Sequence, residues 1–246
     1  LSRSFDMKSR YSEYDVTGRV KINDPQAVKT AVLRIFTGLY PDAGHGPMAR
    51  AFDDVGRLIG GQYPGYRASD TAYHDLQHSL DMTLATARIL DGYERSNHGH
   101  QRLGPERFLM EVISGLFHDV GYIRRRHDTR HSNGAEYPHC HVTRSARFLK
   151  TYLPTIGMKG YAGVASRIVH FTSFEKPLAQ LKIYNEKDRF IGCVLATADL
   201  LAQMSDRCYP EKCRDRLYPE FVIAGLDRKR HPDGATEIIY ASGEDL

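Results

Sequence analysis

"PERFLMEVISGLFHDVGY", residues 105–122, is the stretch on which the reading of this chain turns. Phe108, Leu109, Val112, Ile113, Leu116 and Phe117 recur at intervals of three and four, the period of a helix with one buried face. Pro105 stands where a first-turn proline is tolerated, and Gly121 marks the stop. His118 and Asp119 follow the apolar stripe directly. Neighbouring residues on a helix diverge by about 100°. Both can therefore address one point only at a distorted helix end, and that is where they stand. Such a pair beside a core face is either a satisfied structural pair or the centre of a metal site.

Outward from this segment the same period returns over 25–40, 71–93, 141–153, 160–171, 186–206 and 213–226, with Pro154 just past a helix end. Loops are expected at 41–48, 60–70, 94–104 and over the long polar segment 122–139. The tail "RHPDGATEIIYASGEDL" (230–246) is the only place where a short strand is expected. The predicted fold is all-α: one helical domain over 61–226, a helical extension over 1–60 packed on its core, and a tail over 227–246. No internal repeat or low-complexity linker interrupts it.

Composition narrows the function classes. In 246 residues, 41% are apolar and 26% charged, enough for a core inside an ordinary polar surface. The net charge of +4 is spread without a block of about five or six like charges, so no nucleic-acid polymer is indicated as a partner. The longest apolar run, "FIGCVLATADLLA" (190–202), is broken by Asp199 and falls short of the roughly 20 residues needed to span a membrane. The polar, charged N-terminus is unlike a secretory signal, and Leu rather than Met at position 1 suits a trimmed chain. Four cysteines without a Cys-x-x-Cys suggest no disulfide framework, and the expected setting is reduced and cytoplasmic.

Polar residues recur where core is expected. Over 71–93, Tyr73, Leu76, Leu80, Leu84 and Ala87 form one face; His74, His78 and Asp81 share the other with Ala85 and Ile89. That second face suits a cavity wall, although paired histidines also occur on plain surfaces. Asp199 sits at the edge of the stripe Phe190, Ile191, Val194, Leu195, Ala198 and Ala202. Burying an unpaired carboxylate costs several kcal/mol, which a metal ion, a buried arginine or a cap would offset. His141 precedes the Phe148–Leu149 edge of its helix, and His170 follows Ile168 and Val169. Singly, each is more often structural. Together they place one or two nitrogen or oxygen donors on each of five helices, which points to metal.

The order His78, His118-Asp119, Asp199 resembles the HD superfamily of metal-dependent phosphohydrolases. "TAYHDLQHSLDMT" (71–83) is similar to the Tyr-His-Asn-x-x-His segment of the cyclic-nucleotide phosphodiesterases, and "LATADLLAQMSD" (195–206) to their Thr-Ala-x-Asp-Leu segment. The resemblance covers roughly 70–205. Asp75 stands where that family has Asn, and Tyr122 where it has the second His of His-Asp-x-x-His, so the likeness is to the broader binuclear HD class.

The resemblance implies that His78, His118, Asp119 and Asp199 bind a first divalent ion, with His74 as general acid. "HVTRSARFL" (141–149) and "IVHF" (168–171) are similar to the binuclear proteins' next two histidine segments. On that basis His141 and His170 would hold a second ion, bridged to the first by Asp119; His127, His131 and His139 compete for the place of His141. Such donors suit Fe, Mn, Zn, Ni or Mg. The implied reaction is hydrolysis of a small-molecule phosphoester, of nucleotide or cyclic-nucleotide type, by a hydroxide between the ions, with Asp119 and His74 as catalytic groups. Arg124, with Arg125 and Arg126 beside it, Arg144 and Gln203 are candidates to bind substrate, against readings as solvated loop or cap. A homodimer is compatible with this reading. The rival functions are an HD-type diiron oxygenase and a non-catalytic metal- or nucleotide-binding regulatory module.

Overall fold

Helix α1 (Pro25–Leu39) starts where Asp24 accepts hydrogen bonds from the amides of Gln26 and Ala27, and it buries Val28, Val32 and Phe36. The computed structural model describes residues 12–173 and 175–246, so the first eleven residues of the expected N-terminal extension lie outside them. Helix α2 (Gly46–Ile59) occupies a stretch where sequence analysis placed a loop over 41–48 and named no helix. Its stripe Met48, Ala51, Phe52, Val55 and Leu58 is fully buried, and Pro47 lies in its first turn.

Helix α3 (Leu76–Ser96) runs through the middle of the molecule, against α1, α4 (Pro105–Leu116) and α7 (Glu186–Ser205). Its expected start at 71 is corrected to Leu76. Asp75 adopts an extended conformation and its carboxylate accepts the His78 amide, so the chain before it, His74 included, is a loop. Thr83 and Thr86 are buried on α3, and their hydroxyls donate to the Ser79 and Met82 carbonyls, which removes the cost of burying them. Gly115 lets α4 close onto this helix: a β-carbon there would lie 3.1 Å from the Met82 sulfur.

Helix α5 (His141–Thr155) carries Pro154 inside its last turn, one step further than expected. Helix α6 (Ala162–Ile168) tightens into a 3-10 turn over Val169–Thr172. Helices α8 (Tyr209–Lys212) and α9 (Tyr218–Ala224) are joined by a π-wound turn over Cys213–Leu217, and Gly225 ends α9 in the left-handed region. Helix therefore begins four residues before the expected 213. The tail forms a hairpin, β1 (Arg228–Arg230) antiparallel to β2 (Thr236–Ile238), with Lys229 opposite Glu237.

The fold is all-α apart from that hairpin. One continuous apolar core takes in Val28 and Phe36 of α1, Phe52 of α2, Leu80 of α3, Phe108 of α4, Leu149 of α5, Ile168 of α6 and Leu195 of α7. Each such side chain contributes about 1.5–3 kcal/mol by leaving water. No helix among the described residues is long and apolar enough to cross a membrane.

Candidate metal centre

Helix α4 ends at Leu116, and His118 and Asp119 lie in the turn between it and a 3-10 turn over Val120–Tyr122. Contacts from α5 hold that turn rigidly. The Gly121 amide donates to Ser145 Oγ at 2.9 Å, and Arg144 donates to the Gly121 and Ile123 carbonyls at 2.5 and 2.9 Å. A β-carbon at position 121 would meet the His141 carbonyl oxygen at 1.7 Å, so only glycine permits this approach. His118 Nδ1 donates to the Gly115 carbonyl at 2.8 Å, which leaves the Nε2 lone pair facing inward.

Three donors, from His78, His118 and Asp119, meet there, with Asp199 at the edge of the group. His78 Nε2 lies 3.2 Å from His118 Nε2, 3.3 Å from Asp119 Oδ2 and 3.4 Å from Asp199 Oδ1. His118 Nε2 lies 3.0 Å from Asp119 Oδ2 and 3.8 Å from Asp199 Oδ1. Donors sharing one ion at about 2.1 Å stand roughly 3.0–3.5 Å apart, so His78, His118 and Asp119 could hold a divalent cation, with Asp199 farther from His118 than that range. Their side chains are 1–13% exposed, so the carboxylates have little water to offset their charge. Burial opposes charging His118, but the adjoining Asp119 carboxylate outweighs it and the pKa is pushed up to about 9. Burial likewise works against the Asp119 carboxylate, and His118 and His74 hold its pKa well below the ordinary range. The pocket favours positive charge at this point. Gln203 does not stand apart as a substrate contact: its amide donates to Asp199 Oδ1 at 2.9 Å and its carbonyl accepts from Tyr73, so it orients a member of the set.

His74 lies at the rim of the cluster, its ring centroid 5.7 Å from that of His78. Nδ1 donates to Glu220 Oε2 at 2.5 Å, and Glu220 Oε1 also accepts the Tyr73 and His74 amides. Glu220, on α9 and only 4% exposed, was missed from the sequence. Burial disfavours the His74 imidazolium, but the charge of Asp119 and the Glu220 hydrogen bond together raise its pKa. The Tyr122 ring stacks on both His74 and His141, at centroid distances of 4.4 and 4.2 Å. The tyrosine that replaces an expected histidine is thus a packing wall of the site.

The remaining candidates divide. His141 is brought in: Nδ1 donates to the Pro138 carbonyl at 2.9 Å and Nε2 lies 3.8 Å from Asp119 Oδ1. His127 and His139 are exposed, and His131 pairs with Asp128, so none of the three takes that place. His170 is buried, but no carboxylate lies within 4 Å of it among the described residues; Lys176 Nζ lies 3.2 Å from its Nε2. Arg124 is engaged by Asp70 and the His131 carbonyl, and Arg144 by the two turn carbonyls and the Tyr137 ring. Both act here as struts that hold the turn, Arg124 through the Asp70 carboxylate and one carbonyl, Arg144 through two backbone carbonyls. Arg125 lies over the Tyr66 ring and Arg126 donates to the Tyr66 and Gly61 carbonyls.

Two hollows flank the cluster. A polar cleft of about 380 Å³ is lined by Tyr73, His78, Asp81, Gln203, Lys212 and Arg216. A second, of about 260 Å³, has His74 and Asp119 at one end and Val55, Leu58 and Ile123 at the other.

Comparison with known proteins adds a family. No curated protein and no solved structure matches the chain. The model of the family described as Npun_R2479-like matches residues 63–238, a span that includes His74, His78, His118, Asp119, Asp199 and Glu220. Matched over well more than half its length, the chain belongs to the Npun_R2479-like family.

Proposed function

We propose that this protein is a metal-dependent phosphohydrolase of the HD type, acting on a small-molecule phosphoester of nucleotide or cyclic-nucleotide kind. One observation carries the reading. His78, His118 and Asp119 turn three donors on one point, with Asp199 3.4 Å from His78 at its edge, beside a histidine whose Nδ1 is held by a buried glutamate. A divalent ion in that set would act as a Lewis acid, polarising a phosphoryl oxygen and lowering the pKa of a water.

The chain's own groups supply the rest. Glu220 keeps a proton on Nδ1 of His74, so Nε2 is the atom from which a proton can pass to the departing alkoxide. The raised pKa of His74 keeps that proton available near neutral pH. Tyr122 packs flat on the imidazole and limits its rotation, while Gln203 fixes the Asp199 carboxylate. An oxygenase has no need of a buried carboxylate that arms a proton donor, which favours hydrolysis over dioxygen chemistry. The proposed setting is cytoplasmic, and the exposed thiols of Cys140 and Cys193 suit reducing conditions.

The test is metal analysis of the purified protein followed by a phosphoester panel that includes cyclic nucleotides. Turnover that disappears on chelation and returns with a divalent ion is expected. A metal-replete protein inert toward every phosphoester, or an iron-loaded one that consumes dioxygen, would sink the proposal.

A further inference from the structure

The second-ion site that the HD resemblance implies can be tested on its donors. Asp119 Oδ1 and His141 Nε2 face each other at 3.8 Å, a separation compatible with a shared cation. His170 does not complete the set. The nearest group to its Nε2 is the Lys176 ammonium, at 3.2 Å. An ammonium has three donors and no acceptor, so this contact is an N–H of Lys176 donated to the ring. The lone pair that a metal would need is therefore in use. It also fixes the tautomer, since the proton must sit on His170 Nδ1, which is buried without a partner.

Lys176 is an exposed residue on a loop that its neighbour anchors. Its neighbour Glu175 caps α5, with Oε1 accepting the Val142 amide at 2.7 Å and Oε2 accepting the Thr143 amide and hydroxyl at 2.9 and 2.8 Å. Glu175 Oε1 also lies 3.6 Å from His141 Nδ1. The loop is thus tied to the first turn of the helix that carries His141, and Lys176 is held on the His170 side of that tie. A divalent ion on His170 would lie within a few ångströms of the ammonium, and like charges at that range repel strongly in a part-buried setting.

We infer that the centre takes one divalent ion rather than two, and that the Lys176 ammonium stands against His170 where a second ion would have to bind. The inference rests on the metal-dependent reading above and alters its stoichiometry. Lys176 is a positioning residue in this scheme. It places a positive charge against His170 and closes that imidazole to metal.

The experiment counts ions. Wild-type protein is saturated with Mn²⁺, freed of excess, and analysed for metal per chain and by electron paramagnetic resonance. About one equivalent with the six-line signal of an isolated ion is expected. Lys176→Met should gain a second equivalent and an exchange-coupled signal. Lys176→Met combined with His170→Ala should return to one, because the added ligand is removed. Two equivalents in the wild type overturn the inference without the need for any variant, and so does a Lys176→Met count that stays at one. No bound Mn²⁺ in the wild type overturns the parent metal reading instead, so the two failures are distinguishable.

Discussion

Glu111 and Asp119 are both buried carboxylates of one short stretch of chain, and their conditions are opposite. Glu111 lies inside α4 with neither oxygen hydrogen-bonded, and burial alone drives its pKa well above the ordinary value. Asp119, in the turn just beyond, is equally removed from water, yet the histidines around it keep it ionised. Desolvation is common to both. What separates them is the company of cationic or cation-binding groups. The first site is a cost to the fold; the second is an arrangement that invites a positive charge.

The largest effect should follow from making Asp119 resemble Glu111's neutral state. Asp119→Asn removes the charge and keeps the shape, and it should lose the bound ion and bring turnover to background. Full metal content in this variant would break the comparison. Next comes His74→Ala, which should keep the ion while kcat falls by about 10²–10⁴-fold, the usual worth of a positioned general acid. Unchanged activity toward a substrate with a poor leaving group would remove His74 from that role.

Glu220→Gln should have a smaller effect, on the order of 10-fold in kcat, because the acid remains but loses its anionic partner. The sign of the pH effect follows from the partner's charge. Glu220 helps to raise the His74 pKa, so its neutral replacement should shift the alkaline limb of the rate profile to lower pH. An unmoved limb would mean that another group titrates there.

The smallest effect is on stability. The unfolded chain ionises Glu111 near its ordinary value of 4.5, whereas the folded chain resists ionisation. Stability from this group is therefore full below that pH and is lost as pH rises toward the raised folded value. Glu111→Gln removes the dependence and should stabilise the protein by up to about 3 kcal/mol at pH 7, with little change near pH 4. Equal melting temperatures for variant and wild type at both pH values would show that Glu111 has a partner in solution.

The parts of this molecule legible from sequence are those written in local period. The α4 stripe announced the helix, though it ends at Leu116 rather than at the expected stop by Gly121, and Asp199 stood out because a carboxylate at the edge of an apolar face is costly. Helix α2 carries the same signal in Met48, Ala51, Phe52, Val55 and Leu58, but Pro and Gly around residue 45 mask its start as a loop. Glu220 left no comparable mark. It lies 146 residues from His74, and only tertiary packing brings them together. The partners of Arg124 and Arg144 were illegible for a related reason: nearness in sequence to His118 and His141 says nothing about which acceptors their guanidinium groups reach.

The placement of Glu220 on α9 sets the order of the site along the chain. His78, His118, Asp119 and Asp199 all precede α9 in the chain, whereas the carboxylate that holds His74 comes only with it. On the proposed function, a protein cut before residue 220 would keep every residue proposed to hold the ion and lose, of the site, only the anchor of the proposed acid, which separates the two roles in a single truncation.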